Sequence, residues 1–264
     1  MKSLKFLFIG FSFSVLFLGC ETKEPFLENE IPNYLISDVY DIDDRLVAHY
    51  EYDKSYNLIK RIFTDPVNNV ASDMIFHYKN GYVNLIEHKS YDFPQSDHQE
   101  HFIYDKNGRL AKIERYQRGE LLGFINTYYD NNGKIESLNS NGFESFVFFE
   151  YDTKINVVKS TYHLIEPETK EEFVQIRERI FDTFKRPSMG LDYLLGVDPL
   201  PWRYYMDVWE LTLSQNNIVA DLHSGNTFTY EYNNDGYPVS VTVKWKDIET
   251  EKPLTMKIKY LKRK

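Results

Sequence analysis

The chain has 264 residues, a mean hydropathy of −0.51 and 42% hydrophobic residues, values that belong to a folded globular protein and exclude a disordered one. Aromatic residues reach 16%, with 21 tyrosines and 19 phenylalanines, and this content favours strands over helices. The formal net charge of −9 repels phosphate groups, so we predict neither nucleic acid nor anionic lipid as a partner.

A targeting segment is predicted over residues 1–19. Two lysines precede an apolar stretch over residues 6–18, which is too short to cross a bilayer. Gly19 and Cys20 follow it and resemble a bacterial lipobox, in which the cysteine sulfur is acylated and becomes the mature N-terminus. We therefore predict that Cys20, the single cysteine of the chain, is lipidated; the alternative is an ordinary secretory leader with an incidental thiol.

Residues 20–36 are predicted to form the acylated N-terminus and a flexible tether, interrupted by Pro25 and Pro32. The acidic residues after Cys20 resemble the surface-export signal of Bacteroidota lipoproteins. We thus predict an outer-membrane protein, lipid-anchored through its N-terminal acyl chains and exposed at the cell surface. A single domain is predicted over residues 37–264, and without a disulfide its own core must hold it together.

Residues 34–62 contain two or three predicted strands, and residues 46–52 alternate as a half-buried strand does. An acidic cluster lies here, formed by Asp38, Asp41, Asp43 and Asp44. Such a cluster can collect a hard cation, but the spacing lacks the glycine and terminal glutamate of a calcium loop. A solvated turn is therefore favoured.

The next segment, residues 102–116, is predicted to be a β-hairpin. One apolar run ends at Tyr104, a second restarts at Leu110, and the turn between them contains Asn107 and Gly108. Glycine adopts the positive φ that such a reversal needs without steric cost.

Variants of this hairpin recur along the chain. The tyrosines before the turns are Tyr52, Tyr78, Tyr104, Tyr129, Tyr151 and Tyr232, and the first five are 22 to 26 residues apart. A period of this size indicates stacked supersecondary units that bury an apolar face together. We predict an all-β fold, an extended and curled antiparallel sheet of successive hairpins in which each strand pairs with the next.

The pattern Tyr-Asp-x-x-Gly-Arg-Leu, complete at residues 104–110, resembles the YD repeats of Rhs-type proteins. It resembles still more the repeat-bearing lipoproteins of unknown function of the Bacteroidota, whose C-terminal signature is similar to residues 228–238. The resemblance covers most of residues 45–245, although Tyr56 and Ile155 replace the glycine in two copies. The resemblance implies a hairpin-repeat fold and a location at the cell surface. It implies no activity, because the family has no general activity.

The most metal-like constellation is Asp97 and His98 followed by Glu100 and His101. Residues three apart on a strand point to opposite faces, so His98 and His101 converge only if the segment is a turn. With no second cluster nearby in sequence, we predict no metal site and no cofactor. The other histidines of the predicted strands are interpreted as ordinary half-buried residues: His77, His88, His163 and His223.

The repeat is interrupted at residues 185–207, which contain three prolines and are predicted to form a short helix followed by an irregular loop. The candidate ligand-binding residues lie in and just after it: Trp202, Tyr204, Tyr205 and Trp209. Exposed rings can stack on sugars or anchor a protein partner, whereas the alternative, which is favoured, has them cover one end of the sheet as core groups. A hairpin over residues 226–245 and a final strand over residues 256–261 follow, the latter predicted as an exposed edge because of its lysines.

The chain contains no nucleophile elbow, no His-Glu-x-x-His and no phosphate-binding glycine loop, and we predict no catalytic residue. The first hypothesis is a non-catalytic surface protein that binds a glycan or a protein, or serves as an accessory subunit. The alternatives are a surface hydrolase of the glycoside hydrolase type, with an unidentified carboxylate pair, and a purely structural lipoprotein. The oligomeric state stays open.

Overall fold

The computed structural model describes residues 33–65, 70–141, 145–166, 168–188, 191, 208–246 and 253–264. The predicted signal peptide, Cys20 and most of the predicted tether lie outside the described residues. The tether was expected to reach residue 36, but the first strand already begins at Tyr34.

The described residues form sixteen strands, one short α-helix and one 3₁₀ turn at Pro94–Ser96. The strands are β1 (Tyr34–Asp41), β2 (Leu46–Tyr52), β3 (Leu58–Asp65), β4 (Val70–Lys79), β5 (Tyr82–Ser90), β6 (His98–Tyr104), β7 (Leu110–Gln117), β8 (Glu120–Tyr129), β9 (Ile135–Ser140), β10 (Ser145–Tyr151), β11 (Val157–Ile165), β12 (Glu172–Phe181), β13 (Ile218–Asp221), β14 (Thr227–Tyr232), β15 (Pro238–Lys244) and β16 (Leu254–Lys262). The helix α1 spans Val208–Leu213. No helix among these residues has the length and apolarity that a membrane crossing requires.

Each strand pairs antiparallel with the next, and β1 also pairs with β16, so the sheet closes into a barrel. The prediction of an all-β antiparallel fold of hairpins is confirmed, but an open, curled sheet is wrong. The seam runs from the Tyr34 to Lys262 pair to the Asp41 to Met256 pair. Closure gives hydrogen-bond partners to both outermost strands, which would otherwise be free edges. The prediction of an exposed edge at the last strand is therefore also wrong.

One turn geometry recurs at the end of the barrel where the repeat tyrosines lie. The Asp105 carboxylate accepts hydrogen bonds from the backbone N–H groups of Asn107 and Arg109, at 2.8 and 3.0 Å, and Gly108 has a φ of +78°. The same arrangement closes the turns at residues 53–57, 130–134 and 152–156, and Asn233 replaces the aspartate in the turn at residues 233–237. Tyr56 and Ile155 adopt the glycine's left-handed conformation, with φ of 65° and 64°.

The repeat tyrosines join neighbouring hairpins. The Tyr104 hydroxyl donates a hydrogen bond of 2.9 Å to the carbonyl oxygen of Val83, and burial raises the pKa of Tyr104 to about 12, so that it remains a neutral donor. Equivalent bonds run from Tyr52 to Ile36, Tyr78 to Leu58, Tyr129 to Leu110, Tyr151 to Ile135, Tyr230 to Ile218 and Tyr260 to Pro238. In the last repeat Tyr230 makes this bond, and the hydroxyl of the aligned Tyr232 donates to Asp182 instead.

The inner face of the barrel wall carries apolar clusters, and the outer face carries both ion pairs and exposed apolar side chains such as Phe148 and Ile176. Alternate residues of each strand point inward, and the buried apolar side chains among them form three clusters. The largest joins β1 to β7 with β15 and β16, the second joins β9 to β11, and the third joins β13 to β15. The outer face carries cross-strand and same-strand ion pairs, among them Lys60 with Asp73, His77 with Glu87, Lys112 with Glu114 and Lys159 with Glu150.

The interruption of the repeat is an insertion into one of the recurring turns. The N–H of Asp182 donates to the carbonyl of Asn217, as the turn aspartates do elsewhere, so residues 183–216 stand where a short turn would be. Within them α1 lies against the core: Trp209 contacts the first two clusters and Leu211 the third. The described residues contain a short helix, α1, directly after residues 185–207, and most of the helix and loop predicted within 185–207 lies outside the described part, at residues 189–190 and 192–207.

Two buried cations fix this helix. Arg179 of β12 forms an ion pair of 3.3 Å with Glu210, and both side chains are almost fully buried. Arg186 donates to the carbonyl oxygens of Leu211 and Thr212, at 2.7 and 3.0 Å, and burial lowers its pKa to about 10, so it stays charged at neutral pH. A cation at the last carbonyl groups of a helix is stabilised by the helix dipole.

A histidine and glutamate cluster at the barrel rim

Two histidines face each other across neighbouring strands at the rim opposite the tyrosine turns. His88 of β5 and His98 of β6 are direct cross-strand partners. Their rings are stacked, with centroids 4.1 Å apart and planes 11° apart. Both side chains point to the same face as Ile86 and Glu100, which are buried.

Glu100 lies two residues after His98 and therefore on the same face of β6. Its Oε1 accepts hydrogen bonds from Arg115 Nε and Nη2, at 3.1 and 2.6 Å, and its Oε2 lies 3.2 Å from His88 Nε2. Burial alone would raise the pKa of Glu100, but the hydrogen bond and charge of His88 and the charge of Arg115 outweigh it and lower the pKa to about 2. The carboxylate is ionised at every physiological pH.

The protonation of His98 follows from its backbone contact. Its Nδ1 lies 3.0 Å from the carbonyl oxygen of Ser96, and because a carbonyl can only accept, Nδ1 carries the hydrogen. Nε2 then presents a lone pair. Burial, and after it the charge of His88, lowers the pKa of His98, so the ring is neutral at pH 7.

A pocket of about 300 Å³ opens at the same rim. Pro94 and Tyr116 contribute apolar surface, while Gln99 and Arg118 contribute hydrogen-bonding groups; His98 also lines it. Arg118 lies in the tight turn between β7 and β8 with a φ of 51°, and among the described residues nothing pairs with its guanidinium. The pocket therefore combines an aromatic wall with an unpaired cation.

The prediction that His98 and His101 point to opposite faces is confirmed, since the His101 ring contacts Tyr116 on the outer side, with centroids 4.9 Å apart. The interpretation of His88 as an ordinary half-buried residue missed its place opposite His98. The signal that reveals this place is the strand register, because a connection between β5 and β6 that is centred on residue 93 places residues 88 and 98 opposite each other. The sequence alone does not determine that centre, because the loop contains a 3₁₀ turn instead of a regular β-turn.

Of the predicted ligand-binding rings, Trp202, Tyr204 and Tyr205 lie outside the described residues. Trp209 is half-buried and packs on two core clusters, which is the position that the favoured core interpretation expects. Ligand binding by these rings stays a prediction. The four aspartates of the acidic cluster are each engaged with a neighbour: Asp38 with His49, Asp41 and Asp43 with Arg45, and Asp44 with Lys257.

Comparison with solved structures identifies a related fold. A porin-like protein from Bacteroides uniformis is 12% identical, with a TM-score of 0.52, over 87% of this chain and 99% of that one. A porin-like protein from Bacteroides vulgatus is 10% identical, with a TM-score of 0.40, over 86% and 99% of the two chains. The Tc holotoxin pore of Photorhabdus luminescens is 13% identical, with a TM-score of 0.26, over 79% of this chain and 12% of that one.

No protein-family model and no curated protein sequence matches the chain. At 12% identity, the likeness to the Bacteroides uniformis protein shows a shared fold and says nothing about activity.

Proposed function

We propose that the protein is a lipid-anchored barrel at the outer membrane that binds a glycan in the rim pocket. The observation that carries this proposal is the pocket itself, with an aromatic wall at Tyr116 and, at Arg118, a guanidinium that pairs with none of the described residues. Sugar rings stack on aromatic faces and hydrogen-bond through their hydroxyl groups, and both kinds of surface are present. A carboxylated sugar fits best, because guanidinium binds carboxylate in a bidentate manner.

The polarity of the barrel wall supports attachment by acyl chains. A barrel whose strands face lipid carries an apolar band outside and a polar interior. Here apolar clusters fill much of the interior, beside buried charges such as Arg179 and Glu210, and the outer face carries ion pairs such as Lys60 with Asp73 along with exposed apolar side chains. The ion-paired strands favour contact with water, and Cys20 is then the residue that holds the protein at the membrane. The fold shared with a porin-like protein suggests the outer membrane as the location.

Binding is favoured over glycoside hydrolysis by the state of the pocket carboxylates. A general acid for that reaction needs a raised pKa. Burial alone would raise the pKa of Glu87, but hydrogen bonds from His77 and Lys89 outweigh it and the pKa is lowered. Glu87 is therefore not suited to donate a proton at neutral pH. Asp97 accepts a hydrogen bond of 2.8 Å from the Ser90 N–H.

The test is a glycan array with the full chain purified in detergent micelles, followed by titration of the best ligand. Arg118→Ala and Tyr116→Ala should each weaken binding about tenfold or more, the effect of losing a charged hydrogen bond or a stacked ring. Lys154→Ala, which removes a cation from a turn at the other end of the barrel, is the matched control and should bind normally. Equal binding by all four proteins would refute the pocket as the site.

The same array distinguishes the aromatic residues predicted from the sequence. Trp202→Ala should leave binding unchanged if the ligand occupies the rim pocket. A loss of binding in this variant, with full binding by Arg118→Ala, would assign the ligand to the aromatic loop instead.

A further inference from the structure

We infer that His88, His98 and Glu100 form a binding site for a divalent transition metal of the zinc class. Each residue offers one ligand atom, and these atoms lie within 4.8 Å of one another. The inference goes beyond glycan binding, because it uses no atom of Tyr116 or Arg118. His88 and His98 line the same pocket, so the two binding events are measured separately.

The donor set matches the preferences of this class of ion. Zinc in proteins is bound by imidazole nitrogen and carboxylate oxygen, and sites with two histidines and one carboxylate leave a fourth position for water or a ligand. Calcium and magnesium prefer oxygen donors throughout, so two imidazoles argue against them. The site is also reachable, since the His88 side chain is 23% exposed.

Two contacts hold the ligands in the form that a metal requires. The Ser96 carbonyl accepts from His98 Nδ1 at 3.0 Å, which leaves the Nε2 lone pair for the ion. Arg115 occupies Oε1 of Glu100 at 2.6 Å and leaves Oε2 on the side of His88. Backbone carbonyls and charged side chains that orient ligands in this way are the usual outer-shell partners of metal sites.

Metal binding must change the geometry of the two rings. A metal lies in the plane of each imidazole that binds it, and two parallel rings with centroids 4.1 Å apart cannot both satisfy this condition. One ring has to rotate out of the stack. His98 is held by Ser96, so His88 is the ring that turns, and its hydrogen bond to Glu100 Oε2 is replaced by the two bonds to the ion.

The competing explanation is a metal-free network in which His88 and Arg115 neutralise Glu100 and nothing else binds. Both explanations make Glu100 important for folding, so stability alone does not separate them. Metal occupancy does.

The experiment uses the full chain in detergent micelles, stripped of metal and titrated with Co²⁺ or Zn²⁺. Cobalt is followed by its visible absorption and zinc by calorimetry. One ion per chain is expected. Arg115→Met removes an outer-shell partner and should reduce the metal affinity by ~10–100-fold. His98→Gln and Glu100→Gln each remove a ligand and should reduce the metal affinity by more than this.

His101→Gln is the matched control, because it removes an imidazole from the same strand on the opposite face. It should bind both metals as the unmodified chain does. Circular dichroism establishes that each variant is folded, and His88→Asn serves as a second ligand variant if His98→Gln is not. The inference is overturned if the folded chain binds no ion, or if His98→Gln and Glu100→Gln bind it as tightly as His101→Gln does.

Glycan titration in the presence of a chelator separates this inference from the proposed function. If glycan binding is unchanged in chelator while the metal signal is lost, glycan binding does not need the ion. The glycan site is then tested by Arg118→Ala and Tyr116→Ala, and the metal site by His98→Gln and Glu100→Gln.

Discussion

At the scale of the residue, the aspartate that follows four of the repeat tyrosines is what closes the turn. At Asp105 one carboxylate oxygen accepts hydrogen bonds from two backbone N–H groups, and the other accepts a hydrogen bond of 2.9 Å from Arg109 Nε. In the last repeat the amide oxygen of Asn233 accepts the corresponding two hydrogen bonds from backbone N–H groups. The turn therefore depends on an acceptor at this position more than on a charge.

Asp105→Ala should lower the free energy of unfolding by about 1–2 kcal/mol, because two backbone donors lose their partner. Asp105→Asn should cost less, since Asn233 shows that an amide closes the same turn. Chemical denaturation of the three proteins measures both effects. Equal losses for alanine and asparagine would mean that the charge, and not the acceptor, is what matters.

The same residue predicts a dependence on pH. Burial alone would raise the pKa of Asp105, but hydrogen bonds from the Arg109 backbone and side chain and from the Asn107 N–H outweigh it, so the pKa lies below its ordinary value of 3.8. A lowered folded-state pKa stabilises the protein above the unfolded-chain value, and this contribution is lost as the pH falls through the folded pKa. Denaturation between neutral and acidic pH should show a smaller acid loss for Asp105→Asn than for the unmodified chain.

Ile155 is the least favourable residue in the recurring turn, because a β-branched side chain has a φ of 64° there. Ile155→Gly should stabilise the protein by about 1 kcal/mol, the ~1–2 kcal/mol of relieved strain being partly offset by the freedom of glycine in the unfolded chain. Gly108→Ala is the reverse control and should destabilise, since its Cβ would lie 2.6 Å from the Tyr82 hydroxyl oxygen. Thermal midpoints of both variants provide the comparison.

At the scale of the element, the hairpins and the interruption of the repeat could be predicted, but the position of α1 could not. Alternation and turn residues are local, so strands such as β2, β12 and β14 fall where the pattern indicates. The position of α1 depends on the apolar clusters that Trp209 and Leu211 reach across the barrel, and those contacts are remote in sequence. The pairing of His88 with His98 is hidden for a similar reason, because it requires the register of β5 on β6.

Trp209→Ala should lower the free energy of unfolding by roughly 3 kcal/mol, the lower end of the range for a core tryptophan, because the ring is half-buried. The reason is a cavity between two core clusters that the helix otherwise joins. Leu222→Ala is the control, since that side chain is exposed and should lose almost nothing. Similar losses in the two variants would show that α1 does not hold the core together.

At the scale of the whole molecule, closure between β1 and β16 is the feature that repeat counting missed. The repeat predicts that neighbours pair, and this pairing is observed throughout. It contains no information on whether the first and last strands meet, because that depends on the number and twist of all the strands. The lysines of β16 by themselves therefore predict protection of an edge, whereas Lys257 and Lys259 contact Asp44 and the Tyr40 ring beside the seam.

Removal of residues 254–264 should open the barrel and expose β1 and β15 as unpaired edges. The expected result is self-association, because such edges pair with other chains. Size-exclusion chromatography of the shortened chain, beside a chain that lacks Lys264 alone, measures it. A monodisperse product of the same size as the unmodified chain would show that the seam is dispensable.

The direction of β1 determines which pole of the barrel lies far from Tyr34. Tyr34 begins β1 beside the recurring turns, where its hydroxyl donates to Asp235, and the strand then runs toward the opposite pole. At ~3.3 Å per residue, the eight residues of β1 span roughly 25 Å. The proposed attachment through Cys20 would reach the barrel at the pole of the recurring turns, and His88 and His98 lie at the opposite pole.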